Sequence, residues 1–109
     1  MTTSSQIEAM GVHEAITAAV AHADRVHSGW SDEAYALLLQ YMAANQRFKA
    51  EDVRNYAHKT RGLPNPPDPR AWGGVIQRAA REGRIMKACY VASNNEQAHH
   101  RPVTVWQVL

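Results

Sequence analysis

The sequence predicts a mainly helical α+β fold that ends in a β-hairpin. Apolar residues recur at helical spacing through the first half of the chain. Four prolines within residues 64–69 then interrupt the helical pattern. Beyond residue 84, two strand-like runs flank a polar turn. A length of 109 residues fits one domain with a modest core.

Two amphipathic helices are predicted at the start of the chain. The first runs from about Val12 to His27, and Gly29 follows it. The second begins at Ser31 and ends near Asn45. Both carry an apolar stripe with a spacing of three to four residues. The stripes consist of Ile16, Val20, Ala23 and Val26 in the first helix and of Ala34, Leu37, Leu38, Tyr41 and Met42 in the second.

A short apolar bridge and a third helix follow. We expect Phe48 to be buried, in a very short strand. The third helix is predicted from about Ala50 to Lys59, with Val53 and Ala57 facing inward, together with Tyr56. The segment "RGLPNPPDP" is then a stiff loop, because its prolines exclude a continuous helix or a paired strand.

The segment "DPRAWGGVIQRAAREGRI" contains a basic helix, residues 69–82. Asp68 is a suitable N-cap, Pro69 fits the first helical position, and Gly83 ends the helix. Its inward stripe is Trp72, Val75, Ile76 and Ala79, which leaves Arg70, Gly74, Gln77, Arg78 and Arg81 exposed. No acidic partner is expected for this face before Glu82. The pattern therefore does not indicate a solvent-exposed face whose arginines are paired in salt bridges.

The step Gly73–Gly74 lowers helix propensity by about 1 kcal/mol per glycine relative to alanine. We expect another group to pack closely against the glycines and compensate for that loss. The step lets either a DNA backbone approach or another helix pack closely, and the sequence alone leaves both open.

The end of the chain predicts a hairpin with "SNNEQAHH" at its tip. Residues 84–92 form one strand, in which Cys89 is expected as a small core residue. Residues 101–109 form the other, with Val103 and Val105 on one face and Thr104, Trp106 and Val108 on the opposite face. We expect Trp72 and Trp106 to meet in the core. Trp30 is expected to pack beside a helix start or, if exposed, to mark a partner surface.

This order of elements is that of a winged helix-turn-helix with an extra N-terminal helix. The segments "FKAEDVRNYA", "GLPNPPDPRAWGGVIQRAAREGRI" and "HHRPVTVWQVL" resemble small winged-helix proteins of bacteriophages and prophages. The resemblance covers residues 31–109 and leaves residues 1–30 as a helical extension of a single compact unit. The proline loop departs from the usual turn of about three or four residues, which leaves the angle between the two helices open.

The resemblance implies a DNA-binding protein with residues 69–82 as the recognition helix in the major groove and the wing, residues 85–108, on the backbone. The charge distribution points the same way. The net charge is +2, with −2 in residues 1–60 and +4 in residues 61–109. A regulatory role and a replication or recombination role both fit. The expected double-stranded DNA contacts are Arg70, Gly74, Gln77, Arg78, Arg81, Lys87, His100 and Arg101.

An alternative is a winged-helix protein-interaction module that does not bind DNA. Its contact surface would be the proline loop, Trp30 or the N-terminal helix. The apolar face of that helix, with Ile16, Val20 and Val26, could instead form a homodimer, which would favour DNA binding to symmetric half-sites.

Other classes of function are not expected. The six histidines and the single cysteine do not converge as metal ligands, and no catalytic pair or phosphate loop is present, so we expect no metal, no cofactor and no enzyme. No apolar run reaches the roughly 18 residues of a membrane span. One cysteine fits the reducing cytoplasm of a bacterial or phage-infected cell.

Overall fold

The computed structural model describes residues 4–92 and 102–109, with side chains for residues 14–91 and 103–109. The chain is mainly helical and carries a small antiparallel sheet, which confirms the predicted α+β class. The elements are α1 (Ser4–Val26), α2 (Trp30–Ala44), β1 (Arg47–Phe48), α3 (Ala50–Asn55) with a π-helical continuation (Tyr56–Thr60), α4 (Arg70–Arg81), β2 (Ile85–Ala92) and β3 (Pro102–Val108).

The predicted first residues of the first two helices are corrected. α1 begins at Ser4 rather than near Val12. α2 begins at Trp30, because Ser31 does not cap its own helix. The Asp24 carboxylate instead accepts hydrogen bonds from the amide and the hydroxyl of Ser31, both at 2.8 Å. Gly29 turns the chain between the helices at a φ of 77°, a backbone conformation that favours glycine.

The predicted bounds of the basic helix are confirmed to within one residue. The Asp68 carboxylate accepts the Arg70 amide at 3.0 Å and so caps the start of α4. Gly83 ends the helix with a φ of 74°. The proline loop is fixed ahead of it, since the indole nitrogen of Trp30 donates to the Pro64 carbonyl at 2.9 Å.

The three strands lie in the order β1-β3-β2, all antiparallel. Phe48 is buried in the two-residue strand β1, as predicted, and lies opposite Trp106. The register of β2 against β3 shifts between Lys87 and Cys89, which leaves Ala88 as a bulge. The prediction that Cys89 is a core residue is wrong, because the bulge turns its exposed side chain to the outer face.

The core lies between α1, α2, α3 and α4, closed by the sheet. The inward stripe of α4 is confirmed, since Trp72, Val75, Ile76 and Ala79 are all buried. Trp72 packs edge-to-face against Trp30, with ring centroids 5.4 Å apart, and not against Trp106 as predicted. Trp30 is 1 % exposed, so it is not a partner surface. None of the described helices is long and apolar enough to cross a membrane.

Candidate nucleic-acid interface

An open groove of about 640 Å³ lies between α4 and one face of the β2–β3 hairpin. α4 contributes its last two turns, and the hairpin contributes both strands. We call this surface the α4–hairpin groove. Its lining residues are Gln77, Ala80, Arg81, Ile85, Met86, Lys87, Thr104 and Trp106.

The strand register decides which hairpin side chains face the groove. Lys87 lies opposite Trp106, and Tyr90 lies opposite Thr104. Directly opposed residues share a face of the sheet, and Thr104 and Trp106 share theirs because they are two apart. Without the bulge at Ala88, Tyr90 would alternate away from Lys87. The bulge therefore places an aromatic ring, 63 % exposed, beside the lysine on the groove side.

Two cations stand at the groove. Arg81 extends from the last turn of α4 and Lys87 from the middle of β2, and both are exposed. Within the part of the chain that the structure describes, neither side chain forms an ion pair. Uncompensated positive charge beside hydroxyl and aromatic groups suits the phosphates and bases of a nucleic acid.

Arg78 has a different environment from the predicted one. Its guanidinium lies 3.2 Å from the Asp32 carboxylate and 3.8 Å from that of Glu82. It also stacks over the Tyr35 ring at 4.0 Å from the ring centroid. The expectation of a face without acidic partners is therefore wrong here, because α2 presents an aspartate to α4.

Glu82 itself is held on the α2 side of α4. The Tyr35 hydroxyl donates a short hydrogen bond to its carboxylate. Desolvation by burial, reinforced by this carboxylate, raises the pKa of Tyr35, so the phenol stays protonated and can donate. The acid closest in sequence to Arg81 is thus engaged by α2 rather than by Arg81.

Arg70 lies far from the groove. Eleven residues separate it from Arg81, about 16 Å along an α-helix. Its guanidinium pairs with the Asp68 carboxylate at 2.6 Å, so it too has an acidic partner that was not expected.

Gly74 contacts α1, so the space at this glycine is occupied by a helix. A Cβ built on Gly74 would lie 2.6 Å from Cγ2 of Val20 and 3.3 Å from Cγ2 of Ile16. Of the two predicted explanations, close helix packing is the one that the structure supports. Ile16 and Val20 of the predicted homodimer face take part in this contact, whereas Val26 of the same face is exposed.

The groove thus brings together Gln77, Arg81 and Lys87 from the predicted set and leaves out Arg70, Gly74 and Arg78. His100 and Arg101 lie outside the described side chains. The sequence analysis did not assign Tyr90, Thr104 or Trp106 to the site. The alternation of β3 already grouped Thr104 with Trp106, but it could not show that this face meets α4.

The described residues include no group of three or more His, Cys, Asp or Glu side chains placed to hold a metal ion. The side chains of the groove can pair with phosphate, donate to base edges and stack. No protein-family model, no curated protein and no solved structure matches this chain.

Proposed function

We propose that this protein binds double-stranded DNA through the α4–hairpin groove. The observation that carries the proposal is the contrast among the arginines of α4. Arg70 and Arg78 are paired with carboxylates, whereas Arg81 is exposed beside Lys87 in a concave surface. Phosphate contacts supply most of the non-specific affinity of DNA-binding proteins, and they need such uncompensated cations.

The element order supports assignment of residues 31–109 to the winged-helix class. α2, β1, α3 and α4 precede a hairpin whose second strand pairs with β1. In this arrangement the hairpin is the wing and stands beside the C-terminal half of α4. A protein of this kind would serve a phage or prophage in regulation or as a replication or recombination accessory, and DNA binding is common to both roles.

The test is fluorescence anisotropy of the full chain with a random-sequence duplex at 50 mM and 200 mM salt. Two phosphate contacts alone weaken the affinity about tenfold over that range. We expect micromolar binding at low salt and at least this loss at high salt. No binding at 50 mM salt would contradict the proposal, because non-specific attraction is strongest there.

The outer face of the hairpin favours a second candidate, a protein-interaction module. Met86, Cys89 and Val91 are exposed on this face, Met86 at 51 %. An apolar surface of this kind is typical of protein contacts. Capture of a protein partner that is lost in Met86→Ser, together with no DNA binding at 50 mM salt, would select this function.

A further inference from the structure

α1 crosses α4 at the Gly73–Gly74 step, and its buried residues Ala19 and Ala23 belong to the same core as Trp72 of α4. Successive residues of an α-helix are 100° apart, so Gly73 and Gly74 flank the direction opposite the buried residues Val75 and Ala79. Ile16 of α1 reaches to 4.0 Å from a Cβ built on Gly73, and Val20 lies still closer to Gly74. α1 therefore covers the outward face of α4 at the Gly73–Gly74 step, whereas Arg70 and Gln77 on either side of the step are exposed.

α1 is part of the packed structure and not a loose extension. Ala19 and Ala23 are buried, at 4 % and 1 % exposure. The two hydrogen bonds from Ser31 to Asp24 fix the end of α1 to the start of α2. Removing α1 would take these two buried alanines out of the core and expose Gly73 and Gly74 of α4 to solvent.

Insertion of the Gly73–Gly74 part of α4 into a DNA groove is incompatible with this arrangement. The major groove is about 12 Å wide, and one α-helix with its side chains is about 10–12 Å across. A second helix across the outward face of α4 leaves no room for this part of α4 to enter. A two-stranded β-ribbon also fits the major groove, and here the hairpin is the element left open.

On the basis of the proposed function, we infer that duplex DNA is bound with α1 in place, and that the hairpin rather than the first half of α4 enters the DNA groove. Lys87 and Thr104 are then the residues that determine specificity. Lys87 provides a cation for phosphate or guanine, and Thr104 provides a hydroxyl and a methyl group. Tyr90 reaches the same face through the bulge at Ala88.

The test locks α1 onto α4 with a disulfide. Cβ of Val20 lies 4.0 Å from a Cβ built on Gly74, within the range of about 3.5–4.5 Å for disulfides. Val20→Cys also removes the methyl group that a side chain at position 74 would meet. The double variant Val20→Cys/Gly74→Cys is made in a Cys89→Ser background, and Cys89→Ser alone is the control for oxidation.

Binding of the random-sequence duplex is compared between the oxidised and reduced forms at 50 mM salt. We expect the two affinities to agree within about threefold, because α1 need not move. A tenfold loss on oxidation that reduction restores would overturn the inference but leave DNA binding intact. Failure of the pair to crosslink would also overturn it, since α1 would not lie against Gly74. No binding by the reduced form or by the control would contradict the proposed function, and therefore also the inference that rests on it.

A second comparison does not depend on the disulfide. We expect Tyr90→Ala to weaken binding about fivefold, the effect of losing one contact to the DNA backbone of about 1 kcal/mol. Arg70→Ala should change the affinity less than about twofold, because Arg70 lies at the far end of α4 from the hairpin. An equal loss in both variants would show that the start of α4 meets DNA and would overturn the inference.

Discussion

The two sides of α4 differ in how their charges and surfaces are used. On the side of α1 and α2, Gly74 is covered and Arg78 is held by Asp32 and the Tyr35 ring. On the side of the hairpin, Gln77 and Arg81 line an open groove. Arg78 and Arg81 are only three residues apart, yet Arg78 is a packing residue and Arg81 forms no ion pair with any residue that the structure describes. The position of an acidic residue on another helix, rather than the charge of the arginine itself, makes that difference.

The largest expected effect is the loss of DNA affinity when the two cations of the α4–hairpin groove are removed. Arg81→Ala/Lys87→Ala should weaken binding to a random-sequence duplex about 50-fold at 0.1 M salt, since each lost phosphate contact removes about 0.9 from the salt slope. The slope itself should fall by about 2. The free energy of unfolding should change by less than about 0.5 kcal/mol, because both side chains are exposed.

Arg47→Ala is the matched control for this prediction. Arg47 is also an exposed cation, but it lies opposite Gln107, on the face of the sheet turned away from the groove. We expect its loss to change the affinity less than about threefold. If Arg47→Ala weakens binding as much as each groove cation does, binding follows net charge and the groove is not the site.

The next effect is on the free energy of unfolding when the two glycines that face α1 are replaced by alanine. Gly73→Ala should stabilise the protein by about 0.5–1 kcal/mol, because the added methyl meets Ile16 at an ordinary 4.0 Å and the helix gains propensity. Gly74→Ala should destabilise it by about 1–2 kcal/mol, because the methyl overlaps Val20 and overpacking outweighs propensity. Urea unfolding followed by circular dichroism measures both.

Val20→Ala is the partner variant for Gly74→Ala. It removes the methyl group that causes the overlap, so the double variant Val20→Ala/Gly74→Ala should be more stable than the sum of the two single effects predicts. Strict additivity would mean that α1 does not contact Gly74. Equal effects of alanine at positions 73 and 74 would contradict the packing in the same way.

The local features of α4 were predictable from sequence because their causes are local. Asp68 before Pro69 and Gly83 after Glu82 defined its ends to within one residue. The spacing of its apolar residues identified the buried stripe. The apolar character of Phe48 predicted a buried residue in a very short strand, and the structure confirms it.

The tertiary contacts of α4 were not predictable in this way. Asp32 is 46 residues from Arg78, so nothing in the neighbourhood of the arginine indicates the pair. The bulge at Ala88 has no glycine or proline to mark it, so the sequence did not show that Cys89 lies on the exposed outer face. The pairing of Trp72 with Trp30 rather than Trp106 depends on where the proline loop holds α2.

A smaller effect is expected on the free energy of unfolding, which Arg78→Ala should lower more than Arg81→Ala. Arg78→Ala removes a cation–π contact and partly exposed ion pairs, together worth about 1 kcal/mol. Arg81→Ala should cost less than about 0.5 kcal/mol. Urea unfolding of the two variants gives the comparison. Tyr35→Leu should remove most of the difference, and a difference that persists in that background would mean that the Tyr35 ring does not hold Arg78.

The smallest effect is a pH dependence at the start of α4, where Asp68 holds Arg70. The hydrogen bonds from the Arg70 side chain, and then from its backbone amide, lower the pKa of Asp68. A carboxyl group with a depressed folded-state pKa adds stability above its unfolded pKa of about 3.9 and loses that contribution as the pH falls through the folded value. Asp68→Asn keeps a capping side chain but removes the charge. The urea midpoint of the wild type should therefore exceed that of Asp68→Asn at pH 6, and the gap should close below about pH 4. No gap at pH 6 would show that Asp68 acts only through the capping geometry that asparagine keeps, and that its charge does not hold Arg70.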